Sequence, residues 1–317
     1  VEHPLPLSAW KEKLQGKGFQ TAATWARAGL FVAILVYLAI RLSDIGWAAV
    51  WQSLPQNIWF YVLFGVIYLI LPICDQINYQ IILRLNLWQS FPIFLRKRVF
   101  NFAVFGYSGE AYFIFWARKH LGLTDRKAFT AVKDSNILSG LVSNSVTVIL
   151  LIVFLITGQL KSVLDAVPNM TTYIAGGALA TIILLPVVIR FRQHLVSLPV
   201  KTALLVILVH VIRIVLIQGL TALQWSVALP LVPFSVWLLF LTAQMVLTRI
   251  PFLPNQDLAL LTLGLSMTGF VNAPSAAVAA MFVAAGALTQ LAHLVVYVLT
   301  SFGSHAPRKL HPIQDFI

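Results

Sequence analysis

Glu110 and Asp257 each follow a helix-breaking segment and precede an apolar run, Ala111–Trp116 and Leu258–Leu265. An acid at the start of a half-helix complements its positive end and caps free N–H groups. A second reading has the two half-helix starts facing each other and forming one polar site. Free N–H groups there hold a phosphate, while the acids take up a proton or cation, or repel the wrong headgroup. The two readings are compatible. Gly106, Ser108 and Gly109 make the first break and Asn255 lies in the second. Arg249 precedes Asp257 across Pro251 and Pro254; its partner is Asp257 or a lipid phosphate, unless it snorkels to an interface. Arg213 falls near the centre of an apolar run, three residues after His210. A central arginine faces a cavity or a partner. Asp75 follows Pro72 and is placed to pair with Arg84 or Arg213. His210 and His293 read as satisfied interior histidines.

Enzyme signatures are sparse. His120 and Asp125 have the His-x4-Asp spacing of glycerolipid acyltransferases, in which the histidine deprotonates a lipid hydroxyl. Two residues at one spacing occur by chance, and no phosphate-binding partner motif follows. A Gly-Lys-Ser/Thr phosphate loop, His-Glu-x-x-His and Gly-x-Ser-x-Gly do not occur. The single Cys74 excludes a disulfide and a Cys-rich metal site. The expectation is therefore no catalytic residue, no cofactor and no metal.

These residues are set in a chain of 317 residues that is 59% hydrophobic and 10% charged. A soluble domain carries roughly 25% charged residues, so a polytopic, all-α membrane domain over 1–317 is expected. Lys plus Arg is 22 against 10 Asp plus Glu, a net charge of +12. In a soluble protein this excess points to nucleic acid. Here the basic residues lie between apolar spans, where they set orientation and meet anionic headgroups, so no nucleic-acid partner is expected.

A helix crosses the ~30 Å hydrocarbon core with about 20 residues. Six spans are expected, over 24–42, 57–83, 135–158, 172–189, 202–224 and 275–300. The second is long and carries Pro72, which predicts a kink and a cytoplasmic extension toward Arg84. No small-residue cleavage pattern follows the first span, which reads as a retained anchor. Lys11, Lys13, Lys17 and Arg27 place the N-terminus in the cytoplasm, and Arg308 and Lys309 place the tail 301–317 there. The segment Trp88–Phe100, with Arg96, Lys97 and Arg98, is an interfacial helix or a plain positive-inside loop.

Two apolar stretches, 99–117 and 234–270, do not fit one crossing. Basic clusters flank 99–117 on both sides: Arg96–Arg98 before it, and Arg118, Lys119, Arg126, Lys127 and Lys133 after it. The economical answer is a re-entrant hairpin with Gly106–Glu110 at its tip. The stretch 234–270 breaks over Arg249–Asp257 and enters from the opposite side, as a hairpin or as two deeper crossings. The order span, span, hairpin, span thus occurs twice, over 24–158 and 172–300, with opposite orientation. Inverted repeats with broken helices at matching positions characterise transporters and place the substrate near the midplane.

Gly106-Tyr107-Ser108-Gly109-Glu110, the stretch Trp116–Ala128 and the stretch Val132–Asn136 resemble the first signature of the lysylphosphatidylglycerol synthase transmembrane, or flippase-like, family. That signature runs approximately Pro-Gly-Gly-x-Gly-Glu and continues into a basic loop. Pro251–Asp257 followed by Leu258–Gly269 is similar to the second signature, with Asn255 and Gln256 in place of glycines and Asp257 in place of glutamate. The resemblance covers about 25–300, without a soluble aminoacyl-transferase domain. It implies translocation of a lipid rather than synthesis of a lysyl-lipid. Glu110 and Asp257 carry that implication by position; Arg213 and Arg249 follow from their own chemistry.

The leading expectation is a translocator of an anionic or phospho-headgroup lipid in a bacterial inner membrane, its partners being membrane lipids. The alternative is a non-catalytic, lipid-binding accessory subunit of a larger membrane complex. A membrane-protein partner and a homo-oligomer both remain open. The lipid acyltransferase is a third reading.

Overall fold

A computed structural model describes residues 46–103, 107–157, 196–247 and 273–301, with Ile40 and Ser43. Every regular element among them is helical, with no β-strand. The helices are α1 (Trp47–Gln52), α2 (Ile58–Leu83), α3 (Phe91–Ala103), α4 (Ser108–Leu121), α5 (Asp125–Ile156), α6 (Val200–Ala228), α7 (Phe234–Leu247) and α8 (Ser275–Ser301). A short 3-10 turn, Trp88–Ser90, leads into α3. Four of them, α2, α5, α6 and α8, are long and apolar enough to cross a membrane. Spans 24–42 (apart from Ile40) and 172–189, the latter half of 234–270, and the tail beyond Ser301 lie outside the described residues, and with them the comparison of the two repeats.

The chain divides into two compact units. One comprises Val1–Gln56 with Ala243–Gly286, and the other Asn57–Thr242 with Ala287–Ile317. In the first, the described residues are α1, with Val50 buried, and parts of α7 and α8, including a run of buried residues from Val278 to Phe282. The second contains the remaining helices.

Within the second unit the long helices expose apolar faces, while several polar side chains are buried among the core residues. Val62, Val66 and Leu69 on α2, Ile149 and Ile152 on α5, and Leu204, Leu208 and Val215 on α6 face outward. Gln76, Asn78, Lys97, Asp134, His210 and Gln224 are buried. Apolar surface outward and polar groups inward is the stable solution in lipid, where an unpaired polar group has no water to bond. Together with the four long apolar helices, this identifies an integral membrane protein.

Local chemistry sets the helix ends. Asn57 caps α2 by accepting from the Trp59 N–H at 3.0 Å, and Arg84 closes it at φ 53°. Gly122, at φ 64°, ends α4 in the left-handed conformation that glycine adopts at little cost. Arg118, Lys119 and His120 fill the last turn of α4, and Asp125 opens α5, each charge complementing its helix end. The polar stretch before span 135–158 is therefore not a loop. Beyond the turn at 122–124 it is the first part of α5, which starts ten residues earlier than the hydrophobicity alone indicates.

The stretch 99–117 is not a straight span. One helix ends at Ala103 and another starts at Ser108, and the pair extends from Phe91 to Leu121. The helices run antiparallel: the Phe94 ring lies against that of Phe113, Lys97 meets Glu110, and Asn101 meets Gly109. Tyr79, Phe94, Phe113, Trp116, Ala128 and Val132 form one buried cluster that fixes the pair against α2 and α5. The Tyr79 and Phe113 ring centroids are 4.1 Å apart.

Helix α6 runs antiparallel to α2, since Gln224 donates to the Phe60 carbonyl at 2.9 Å while His210 lies beside Asn78. Helix α8 runs antiparallel to α3, with Phe102 against His293 and Arg96 bonded to Thr300 and Ser301.

Candidate functional site

The break between α3 and α4 is held by side chains from the neighbouring helix. Tyr107 precedes α4 at φ 74° and supplies no side-chain cap. Asn101 of α3 takes that role, its Oδ1 accepting from the Gly109 N–H at 2.7 Å, while the Ser108 hydroxyl donates to the Phe100 carbonyl. Gly109 is required by contact. A Cβ there would lie 2.0 Å from the Lys97 carbonyl oxygen and 2.8 Å from Asn101 Oδ1. The absent side chain lets the two backbones touch, and that contact puts Glu110 beside Lys97.

Four helices each contribute one charge to the resulting cluster. Lys97 Nζ of α3 lies 2.5 Å from Asp75 Oδ2 of α2 and 3.1 Å from Glu110 Oε1 of α4. Arg213 Nη1 of α6 lies 3.7 Å from Asp75 Oδ1, and its Nη2 donates to Ser139 Oγ of α5 at 2.9 Å. The Lys97 ammonium also sits 5.6 Å from the centroid of the Tyr79 ring. All four charged side chains are at most 13% exposed. Two carboxylates against two cations leave the cluster neutral as a whole. Such compensation is what makes buried charge tolerable; removing one member strands its partner at a cost of about 3–5 kcal/mol.

Glu110 lies in the first turn of α4, where the helix dipole favours its charge. Its Oε1 pairs with Lys97, but its buried Oε2 has no hydrogen-bond partner among the described residues. Half of this carboxylate is thus held and half is open. Glu110 complements the positive end of α4 without capping its N–H groups, a role taken by Asn101, and the Asp257 that the polar-site reading sets opposite it lies outside the described residues.

Of the expected site residues, the structure brings Ser108, Gly109, Glu110 and Arg213 into this one neighbourhood. Gly106, Arg249, Asn255 and Asp257 lie outside the described residues. Asp75 pairs with Arg213 and not with Arg84.

Lys97 is the functional residue that sequence reasoning missed. Trp88–Phe100 is helical and not a loop. It is the 3-10 turn and most of α3, and all three of its cations bond to protein: Arg96 to α8, Lys97 to the cluster, Arg98 to α2. The missing signal was periodicity, because Ile93, Phe94 and Lys97 share one helical face and all are buried.

A second polar group lies on α2. The Tyr68 hydroxyl is 2.7 Å from His293 Nδ1, and the Arg98 guanidinium lies over the Tyr68 ring. His210 and His293 are both interior, with Asn78 and Tyr68 as neighbours. The acyltransferase dyad is not assembled. His120 Nδ1 is engaged with the Trp116 carbonyl of its own helix, and Asp125 is paired with Arg118.

The chain matches no family model, no curated protein and no solved structure.

Proposed function

We propose that the protein is a lipid translocator that passes an anionic or phospho-headgroup between leaflets while the tails stay in lipid. The observation that carries the reading is the buried, charge-compensated cluster Asp75–Lys97–Glu110–Arg213 beside a broken helix pair. Helices of 13 and 14 residues are about 20 Å long, too short for a ~30 Å core. Arg84 precedes the pair, Arg118 and Lys119 fill its last turn, and Arg126, Lys127 and Lys133 follow it, which favours a hairpin that enters from the cytoplasm and returns to it. The cluster then lies within the bilayer, where ionisable groups mark a substrate path.

In this reading a headgroup phosphate reaches Lys97 and Arg213 and exchanges with the carboxylates that hold them. The sequence expectation for Arg249, Asn255 and Asp257 is a second break of the same kind, and in transporters built of inverted repeats the rocking of one repeat against the other alternates access. The resemblance to the flippase-like family supports this through Gly106–Glu110 and Pro251–Asp257. Inner-membrane location with both termini cytoplasmic belongs to the same reading.

The experiment is lipid translocation in liposomes, reading the fraction of fluorescent phosphatidylglycerol that an impermeant quencher reaches. Wild type is expected to expose inner-leaflet probe. Lys97→Met, Arg213→Ala and Asp257→Asn are expected to slow exchange at least tenfold. Wild-type rates in all three variants overturn the assignment.

A further inference from the structure

The charge balance of the cluster has one adjustable member. Asp75 is held on both oxygens, by Lys97 and by Arg213. Lys97 is shared between Asp75 and Glu110, and the bond to Glu110 is the longer of the two. Glu110 is held by one oxygen only, and the other is buried without a partner among the described residues. The charged and titratable groups around it are Lys97 of α3, Asp75 and Tyr79 of α2, and Arg213 and His210 of α6 beyond Asp75. On α5, which also packs against α4, the buried Asp134 is held by Lys133 and by the Ser197 N–H.

We infer that Glu110 takes up one proton for each phosphodiester anion that binds at Lys97 and Arg213, so that the site couples anion transfer to proton movement. The inference rests on the lipid-translocation reading and supplies its energy source. With Glu110 ionised the cluster is neutral and offers an anion no net attraction. A proton from the aqueous side forms an O–H bond at Glu110 and ends its ion pair with Lys97. The cluster then carries one net positive charge, and a freed Lys97 N–H donates to a phosphate oxygen. When the anion leaves, Lys97 returns to Glu110 and the proton is released to water. In a low-dielectric site an uncompensated charge is costly, so the anion and the proton stabilise each other. This is the physical condition for coupling.

The test uses the purified full chain in detergent at low buffering capacity. Dihexanoyl phosphatidylglycerol is one probe, and its deacylated product, glycerophosphoglycerol, is the other. Their phosphodiester does not titrate between pH 5 and 9, so any proton uptake belongs to the protein. Wild type is expected to take up one proton per anion, and its affinity to weaken tenfold per pH unit in the coupled range. Glu110→Gln fixes the uncharged form, so its binding is expected to be independent of pH and tighter than wild type at high pH, with no proton uptake. This gain of binding is not what a misfolded variant would show.

Uptake with the tailed probe alone assigns the site to a lipid headgroup; uptake with both assigns it to a phosphodiester anion of either source. Wild-type binding without proton uptake, or uptake that persists in Glu110→Gln, overturns the coupling. If lipid exchange in liposomes still proceeds under either of those results, the translocation reading stands and only the coupling fails. If neither probe binds and no exchange occurs, both fall.

Discussion

Arg98 Nη1 donates to the Tyr68 carbonyl at 2.6 Å, and that carbonyl is the one Pro72 deprives of its helical donor. Proline has no N–H, so the residue four positions earlier loses its backbone bond. Arg98 replaces it from another helix and lays its guanidinium 4.2 Å from the centroid of the same Tyr68 ring. Pro72 thereby turns a backbone defect in α2 into an attachment point for α3. Arg98→Ala is expected to destabilise the fold by about 2 kcal/mol, the cost of a buried carbonyl left unpaired plus a lost cation–π contact. In a Pro72→Ala background the same change is expected to cost measurably less, because an alanine at that position restores the helical N–H. Unfolding in micelles of the two single variants and the double variant measures the coupling.

Glycines separate contact from conformation. Gly109→Ala places a Cβ 2.0 Å from the Lys97 carbonyl, which is backbone and cannot swing away. The variant is expected to part α3 from α4 and lose several kcal/mol, on the scale of strained overpacking. Gly122→Ala meets no atom within 4 Å but must hold φ 64°, so a loss of about 1 kcal/mol is expected. Gly140→Ala, in α5 with open space, is expected to be neutral or slightly stabilising. Thermal melts of the three variants rank them.

The cluster predicts compensation. Lys97→Met strands Glu110 and leaves Asp75 with Arg213 alone, and is expected to cost about 3–5 kcal/mol. Adding Glu110→Gln to Lys97→Met leaves the balanced Asp75–Arg213 pair and is expected to recover most of that loss, while translocation stays absent because the anion no longer finds Lys97. A double variant no more stable than Lys97→Met would show that Lys97 contributes through its aliphatic packing instead.

The parts of this site that were legible in the sequence are the isolated ones. Asp75 and Arg213 each stand as a lone charge in an apolar run, and a lone charge in lipid needs a partner, so their pairing could be anticipated. Glu110 was marked by the break before it. Lys97 was hidden because Arg96 and Arg98 flank it, and three adjacent cations read as a solvated or lipid-facing cluster. Only helical rotation separates them, turning Arg96 toward α8, Arg98 toward α2 and Lys97 inward. The start of α5 was obscured for a related reason. Asp125–Lys133 is polar, yet it is helical because Thr124 and Asp125 support its N-terminus and α4 packs alongside. Hydrophobicity marks where a helix enters lipid, not where it begins.

The hairpin itself makes the sharpest topological prediction. If α3 and α4 return to the side they left, residues just before α3 and just after α4 face the same aqueous compartment. Gln89 precedes α3, Lys119 lies in the last turn of α4, and both are exposed. Cys74 is buried, and replacing it with alanine gives a background without thiols. In that background Gln89→Cys and Lys119→Cys are expected to react with an impermeant maleimide from one side of sealed, oriented vesicles, the cytoplasmic one. Thr124→Cys, in the turn before α5, is expected to label from the same side. Labelling of Gln89→Cys and Lys119→Cys from opposite sides would make α3 and α4 together a crossing element. Lys97 and Glu110 would then lie along a spanning pair rather than inside a re-entrant fold, and the site would be open to both leaflets at once. Alternating access through one closed end would lose its structural basis.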